Sequence, residues 1–421
     1  MRDLKLSKGR RVFVGNTLSL VVLQGAKYIF PLVTLPYLAR VLGPDAYAVR
    51  AYVVSFMVFI QTIADYGFAQ YGTKIVAQNA DDVGELSRIC SNIYIAKLFT
   101  CSIGLFVTLM VLPFIELLAQ NSVFVLVSFA SIAFKALLPD FVLQGLENMK
   151  SLTLRFVVTQ GLAILAIFVF VRGPEDLLLV PMFEGAASLI SIVWTQVYLM
   201  RHYSIHLGRF ALCGVVGIVR KSTPFFFAAA ASSFMASTIT VFMGIFPTDN
   251  LVISCWSITA TLIQGIQALY QPISRSLFPH MVKRKDVGLV WKLLKLGMPV
   301  NIVGVLICMV FADPIIGIVA GADYIQGSYV LRFVAPVLIF SYPISIVGYP
   351  VIGTLGNSVS LPRCILVGAL FQISALVIAG VSGQFGIVAM SLARVGSEAL
   401  ICALETWIAA GLLRTGNLGT A

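Results

Sequence analysis

Apolar residues run along this chain in long blocks broken by short polar stretches, and most blocks reach the roughly 20 residues that a helix needs to cross a bilayer. The breaks predict about twelve spans, near 12–40, 46–76, 86–112, 120–146, 151–172, 177–200, 220–246, 249–281, 290–312, 325–353, 360–381 and 384–412. The first block is too long for a signal-peptide core and lacks a small-residue cleavage site, so it is expected to stay in place. Alternate connections are basic. One side carries Arg2, Lys5, Lys8, Arg10 and Arg11, then Lys74 and Arg88, Lys150 and Arg155. It continues with Arg201, Arg209, Arg220 and Lys221, the run Lys283, Arg284, Lys285, Lys292 and Lys295, and finally Arg363 and Arg414. The other side has Arg40, Arg50, Arg172 and Arg332 among Glu116, Glu175, Asp176, Asp249, Asp313 and Asp323. Cytoplasmic loops collect Lys and Arg, which predicts both termini in the cytoplasm and an even number of spans.

The fold class expected is therefore an all-α integral membrane protein with two six-helix lobes. Residues 1–201 form the N-terminal lobe (spans 1–6), 202–219 a cytoplasmic connector that could lie as an interfacial helix, and 220–421 the C-terminal lobe (spans 7–12).

Polar residues inside the spans fall on helix faces. In the first span Asn16, Gln24, Lys27 and Pro31 lie close to one face, and Pro36 follows. Lys27 sits near the middle of the block, where a cation costs roughly 2.5–3.5 kcal/mol on insertion scales and must face protein or water. Pro31 and Pro36 each remove a backbone donor, which makes them candidate hinges. Gln61 and Asp65 are four apart in the second span; Ser128, Ser131 and Lys135 share a face of the fourth, with Asp140 off that line. The eighth carries Gln264, Gln267, Gln271 and Ser274, ending beside Arg275. The twelfth places Ser391, Arg394, Glu398 and Glu405 on one face.

Each group has a bland reading beside the functional one. Lys97 and Arg275 are either snorkelling anchors or cavity cations. Arg394–Glu398 suits a structural ion pair or a coupling pair, Glu184 and Glu405 suit neutral hydrogen-bonding groups, and the glutamines could simply join helices. Lys27 and Lys135 have the weakest bland readings, because neither has a carboxylate three or four residues away in its own helix. Asp65 is a candidate partner for either. A cationic cavity of this kind suits a phosphate or pyrophosphate.

Composition sharpens the class. At 59% hydrophobic and 11% charged residues the chain falls well outside soluble domains, and its net charge of +11 follows the loops, which speaks for membrane topology and against nucleic acid. The seven cysteines form no CxxC and read as small buried hydrophobes. Gly214 to Ser222 imitates a phosphate-binding loop but lacks glycine before Lys221 and follows no strand. His202 and His206, four apart, have no third ligand nearby, so no metal site is expected. No catalytic residue is expected either, and no cofactor beyond coupling to a proton or sodium gradient.

The run Asn16-Thr17-Leu18, continued by Pro31-Leu32-Val33-Thr34-Leu35-Pro36-Tyr37-Leu38-Ala39-Arg40-Val41-Leu42-Gly43-Pro44, resembles the opening of polysaccharide transporters, specifically O-antigen flippases of the Wzx type. Asp65-Tyr66-Gly67-Phe68, the run from Pro139 through Gln144-Gly145-Leu146-Glu147-Asn148 to Lys150, and the segment from Tyr270-Gln271-Pro272 to Phe278-Pro279 extend the likeness into both halves. Tyr47-Ala48 departs from the Tyr-Gly that relatives often have. The resemblance implies the fold of the multidrug/oligosaccharidyl-lipid/polysaccharide exporter superfamily, in the bacterial inner membrane. It implies flipping of undecaprenyl-pyrophosphate-linked oligosaccharide to the periplasmic leaflet by alternating access, beside a polysaccharide polymerase and chain-length machinery. On that expectation the pyrophosphate meets Lys27, Lys135, Arg275 and Lys97, with Asn16, Gln24, Gln264, Gln267 and Gln271 lining the cavity and Asp65, Arg394 and Glu398 as coupling or ion-pair groups. The alternatives are a drug/cation antiporter of the same superfamily, which needs acidic residues such as Asp65 and Glu398, and a membrane polysaccharide polymerase or ligase.

Overall fold

The structure, a computed structural model, describes residues 2–208, 211–246, 248–284, 286–355 and 360–414, with side chains at positions 2–14, 17, 228, 284, 413 and 414 outside the description. The basic positions Arg2, Lys5, Lys8, Arg10, Arg11, Arg209, Arg284, Lys285 and Arg414 therefore lie outside the described side chains. Among the described residues there is no strand. The main helices are α1 (Arg2–Asp65), α2 (Phe68–Gln78), α3 (Val83–Val111), α4 (Ser122–Ala136), α5 (Asp140–Gly145), α6 (Met149–Phe170) and α7 (Leu179–Tyr203). They continue with α8 (Leu212–Ile245), α9 (Asn250–Ala268), α10 (Gln271–Arg284), α11 (Val287–Val310), α12 (Ala312–Val319), α13 (Val337–Val347), α14 (Ser360–Val381) and α15 (Ile387–Arg414).

Among the described residues ten helical stretches are long and apolar enough to cross a membrane, or eleven if the pair Leu212–Phe227 and Ala229–Ile245, bent by 49°, is one span. The difference from the twelve expected spans has a physical source. The stretch Leu18–Gln78 is 61 residues long. At 1.5 Å per residue it measures about 90 Å, three times the hydrocarbon thickness, so it cannot cross once. It covers the two spans expected at 12–40 and 46–76. Its break comes at Gly43, whose φ of 71° and ψ of 173° leave helical geometry. Glycine suits this conformation because it has no Cβ to clash. At the prolines Pro31 and Pro36 the backbone stays helical.

The chain forms two compact units. The first comprises residues 1–34 and 53–230, the second 35–52 and 231–421. In the first unit Phe68, Val76, Leu86, Ile93, Phe141 and Leu152 build the core. Gly72 and Gly145 let α2 and α5 touch: a Cβ on Gly145 would stand 2.6 Å from Val76 Cγ1, and one on Gly72 2.8 Å from Phe141. The turn after Gly145 places Glu147 at φ 55°. Asn148 then caps α6 at the Ser151 N–H and donates to the hydroxyls of Tyr198 and Tyr203. After α7, residues 204–208 are non-helical, with the Gly208 N–H donating to Ser91 Oγ at 3.0 Å.

Within the second unit, residues 35–52 are tied down by polar bonds to later helices. Tyr324 donates to the Ala39 carbonyl at 2.8 Å, Ser254 to the Pro44 carbonyl at 2.6 Å and Asn250 to Asp45 at 2.9 Å. Arg40 donates to the carbonyl of Ile318, and the Tyr47 and Tyr324 rings meet edge to face. A small apolar cluster of Met235, Cys364, Ala369 and Ile401 packs α8, α14 and α15 together.

Candidate functional site

The fourth expected span is not continuous. Helix α4 stops at Ala136, Pro139 interrupts, and α5 starts at Asp140. A helix end leaves carbonyls without intrahelical donors, and inside a membrane each must find a partner. Backbone N–H groups of Leu137 and Leu138 serve Ala133 and Lys135. The carbonyls of Ala136 and Leu138 are served instead by Lys97, whose Nζ donates to them at 2.5 and 2.9 Å. Lys97 is 3% exposed, and its Nζ also stands 5.3 Å from the centroid of the Phe141 ring. Its charge lies at the negative end of the α4 dipole, where a cation is favoured. Lys97 thus caps the broken helix.

The second buried cation is Arg155, 2% exposed. Its Nη2 lies 2.6 Å from Asp140 Oδ1, and its Nη1 donates to Thr195 Oγ1 at 2.8 Å. Thr195 donates to the Ser191 carbonyl, Ser191 to Thr159, and Thr159 back to the Arg155 carbonyl, which closes a ring of bonds between α6 and α7. The sequence pattern placed Arg155 among the basic residues of a cytoplasmic connection. It lies six residues beyond the start of α6, and nothing in its spacing separates an interface cation from an inward one.

Around these two sit the remaining charges of the first unit. Asp65 accepts from Gln61 Nε2 at 3.4 Å and is electrostatically coupled to Lys97, Lys135 and Asp140. Lys27 is coupled to Asp140, Lys135 and Arg155, and its Nζ stands 5.8 Å from the Phe156 ring centroid. Lys27 thus lies in the field of Asp140, which Arg155 already holds, and Asp65 in the field of Lys97 and Lys135. Counted by formal charge, four basic side chains (Lys27, Lys97, Lys135, Arg155) stand against two acidic ones (Asp65, Asp140), a formal surplus of two positive charges. The cations differ in access: Lys97 and Arg155 are buried, Lys27 and Lys135 exposed. Asn16 and Gln24, on the Lys27 helix, are half-buried.

The other expected site residues belong to the second unit. Gln267 donates to Ser341 Oγ at 2.8 Å, which joins α9 to α13. Gln264, Gln271 and Arg275 are exposed. Arg394 Nη2 donates to Glu398 Oε1 at 2.9 Å within α15, beside Ser397, which donates to Gln372 Oε1. Tyr270 donates to Asn301 at 2.7 Å, a contact that sequence spacing did not suggest.

Known proteins match this chain over most of its length. Two curated relatives are each named "Putative O-antigen transporter". The one from Escherichia coli K12 is 22% identical over 92% of this chain and 94% of its own length. The one from Shigella dysenteriae is 26% identical over 75% of this chain and 80% of its own. Among solved structures, the lipid II flippase MurJ in an inward closed conformation superposes with a TM-score of 0.73, covering 94% of this chain and 87% of that one at 14% identity. An inward-facing multidrug-resistance transporter of the MATE family gives 0.64, covering 92% of this chain and 95% of that one at 16% identity. These likenesses establish the fold. The model of the family described as "Polysaccharide biosynthesis protein" matches residues 13–285, more than half of the chain and all of the charge cluster, and the chain belongs to that family.

Proposed function

We propose that this protein is a flippase that moves undecaprenyl-pyrophosphate-linked oligosaccharide repeat units from the cytoplasmic to the periplasmic leaflet of the bacterial inner membrane. It does so by alternating access, with 1–201 and 220–421 as its lobes and 202–219 as the connector, for O-antigen or another surface polysaccharide. The observation that carries this reading is the division of labour among the four cations. Lys97 and Arg155 are consumed by helix carbonyls and Asp140, while Lys27 and Lys135 stay exposed beside them with surplus charge. Two ammonium groups on a rigid, pre-organised base suit a dianionic pyrophosphate. The glycan then occupies aqueous space and the lipid tail stays in the bilayer. The relatives named as O-antigen transporters support the same cargo class, and the fold shared with a lipid II flippase is compatible with it. A polymerase and chain-length machinery would take the product, and a proton or sodium gradient would supply the driving force.

The test is a pair of substitutions, Lys27→Ala and Lys135→Ala, in a strain whose surface polysaccharide depends on this protein. Both variants should remain inserted and abundant, and lipid-linked repeat units should accumulate on the cytoplasmic leaflet. Normal surface polysaccharide in the double variant would remove the assignment. Loss of drug resistance in a deletion strain, with its glycan intact, would point to a drug/cation antiporter.

A further inference from the structure

Glu405, on α15, takes no part in the cluster of the first unit. Its side chain is 3% exposed, and Oε2 has no hydrogen-bond partner among the described residues. The carboxyl rests against the π-helical turn Gly348–Ile352 that follows α13. A Cβ on Gly348 would stand 2.7 Å from Oε2 and 3.4 Å from Oε1, so a larger residue at 348 would displace the carboxyl. π-turns are rare and are found frequently at functional sites. The neighbouring positions Ile401, Leu404 and Ile408 belong to the apolar cluster that also takes in Ile344, Cys364 and Ile365.

Among the described residues no cation forms an ion pair with this carboxyl. The titratable groups in its electrostatic reach are Glu398 and Cys402 on its own helix and Cys364 on α14. Arg394 is held by Glu398 at 2.9 Å. On the elements packed against α15, Arg332 is bound by Asp313 at 2.7 Å and Arg363 is exposed. Tyr342 donates to the Leu293 carbonyl, and Tyr349 stacks on Phe278. A bare carboxylate in this position would be a buried charge with another carboxylate as its charged neighbour. A metal ion would need several oxygen ligands, and no group of three or more His, Cys, Asp or Glu side chains converges among the described residues.

We propose that Glu405 is a proton-binding site of the second unit, its carboxylate taking up one proton to become the neutral acid in this conformation and releasing it when the packing against Gly348 opens. That this proton drives transport rests on the flippase reading; the proton site itself does not.

The experiment is infrared difference spectroscopy of the full-length protein in phospholipid bilayers, stepped between about pH 6.5 and about pH 10, a range in which ordinary carboxylates stay ionised. A component of the protonated-acid carbonyl stretch should titrate in wild type and in Glu398→Gln, be lost in Glu405→Gln, and return at a shifted frequency in Glu405→Asp. A carbonyl difference unchanged in Glu405→Gln overturns the proposal, as does wild type with no such difference in that range. Saturable binding of radioactive sodium that Glu405→Gln abolishes would make the site a sodium site and overturn it equally. In proteoliposomes that carry a lipid-linked oligosaccharide, the ratio of flipping with and without a pH gradient should fall to one in Glu405→Gln. Absence of flipping in wild type would sink the cargo reading while leaving the spectroscopic result standing.

Discussion

Replacing Lys97 by Met separates a structural cation from a substrate-binding one. Methionine fills nearly the same volume, so the change removes charge and donors but little packing. The carbonyls of Ala136 and Leu138, now served at 2.5 and 2.9 Å, lose their donor where the side chain they face is 3% exposed. Each buried unsatisfied acceptor costs about 1–3 kcal/mol, which gives about 2–6 kcal/mol for the pair. Two effects move the value towards the low end. The ammonium no longer has to be desolvated, and an unfolded chain in a membrane or micelle finds other partners for its polar groups. About 3 kcal/mol of lost stability is therefore expected, read as a shifted midpoint in SDS-driven unfolding from mild detergent. Lys27→Met is the control. Lys27 is exposed and serves no carbonyl among the described residues, so its midpoint should move by no more than about 0.5 kcal/mol while transport is lost. If Lys97→Met unfolds with the wild-type midpoint yet abolishes polysaccharide export as Lys27→Met does, the Lys97 ammonium binds substrate and the capping argument fails.

Arg155→Met should be costlier than the double change Arg155→Met with Asp140→Asn, because the single variant leaves the carboxylate without its ion-pair partner; breaking a fully buried pair costs about 3–5 kcal/mol, the 31% exposure of the Asp140 side chain moves the expected value below that, and the same unfolding assay reads the difference. Gly67→Ala should destabilise by at least the roughly 1–2 kcal/mol of left-handed backbone, since Gly67 has φ 76° and a Cβ there would stand 2.9 Å from both Phe226 N and Ser222 O; an unchanged melting temperature would contradict it. Asp286 lies between α10 and α11, and its bond from the Leu289 N–H, with lesser help from His280, holds its carboxyl below the usual carboxylate range. A depressed folded-state value stabilises above the unfolded pKa of about 3.9 and is lost as pH falls through the folded one. The stability gap between wild type and Asp286→Ala should thus be full at neutral pH and narrow below about pH 4; a gap independent of pH would show that the carboxylate contributes nothing.

The spans were legible because burial in lipid demands long apolar blocks, and a block is visible whatever the tertiary structure. The polar faces were legible in part. Helical spacing brought Arg394 to Glu398, and it identified Lys27 and Lys135 as intramembrane cations. It gave no means of matching charges across helices. Asp65 was a candidate partner for Lys27 or Lys135; Lys135, with Lys97, does act on Asp65, while the carboxylate that acts on Lys27 is Asp140. Arg155 was hidden for another reason. A cation in the second turn of a helix satisfies the positive-inside pattern whether it points to water or inward, and only the packing of α6 on α7 decides. The Gly43 break was marked by Gly-Pro in the sequence, but not the fact that residues 35–52 pack with the second unit.

That last assignment bears on how the chain is made. Ala39 finds Tyr324 across 285 residues, Pro44 finds Ser254 across 210, and Asp45 finds Asn250 across 205. At about 5–20 residues per second, residues 35–52 wait roughly 10–60 s for the partners that hold them. Throughout that interval Arg40, Asp45 and the carbonyls around Gly43 have only water, headgroups or the insertion machinery to bond with. The first unit can assemble around Phe68 and Phe141 as it emerges, while its own opening helix stays half unclaimed until the ribosome has passed Tyr324. Truncated chains ending before Asn250 should therefore leave residues 39–45 accessible to water-soluble thiol reagents, at cysteines placed there, long after the first unit has become protected.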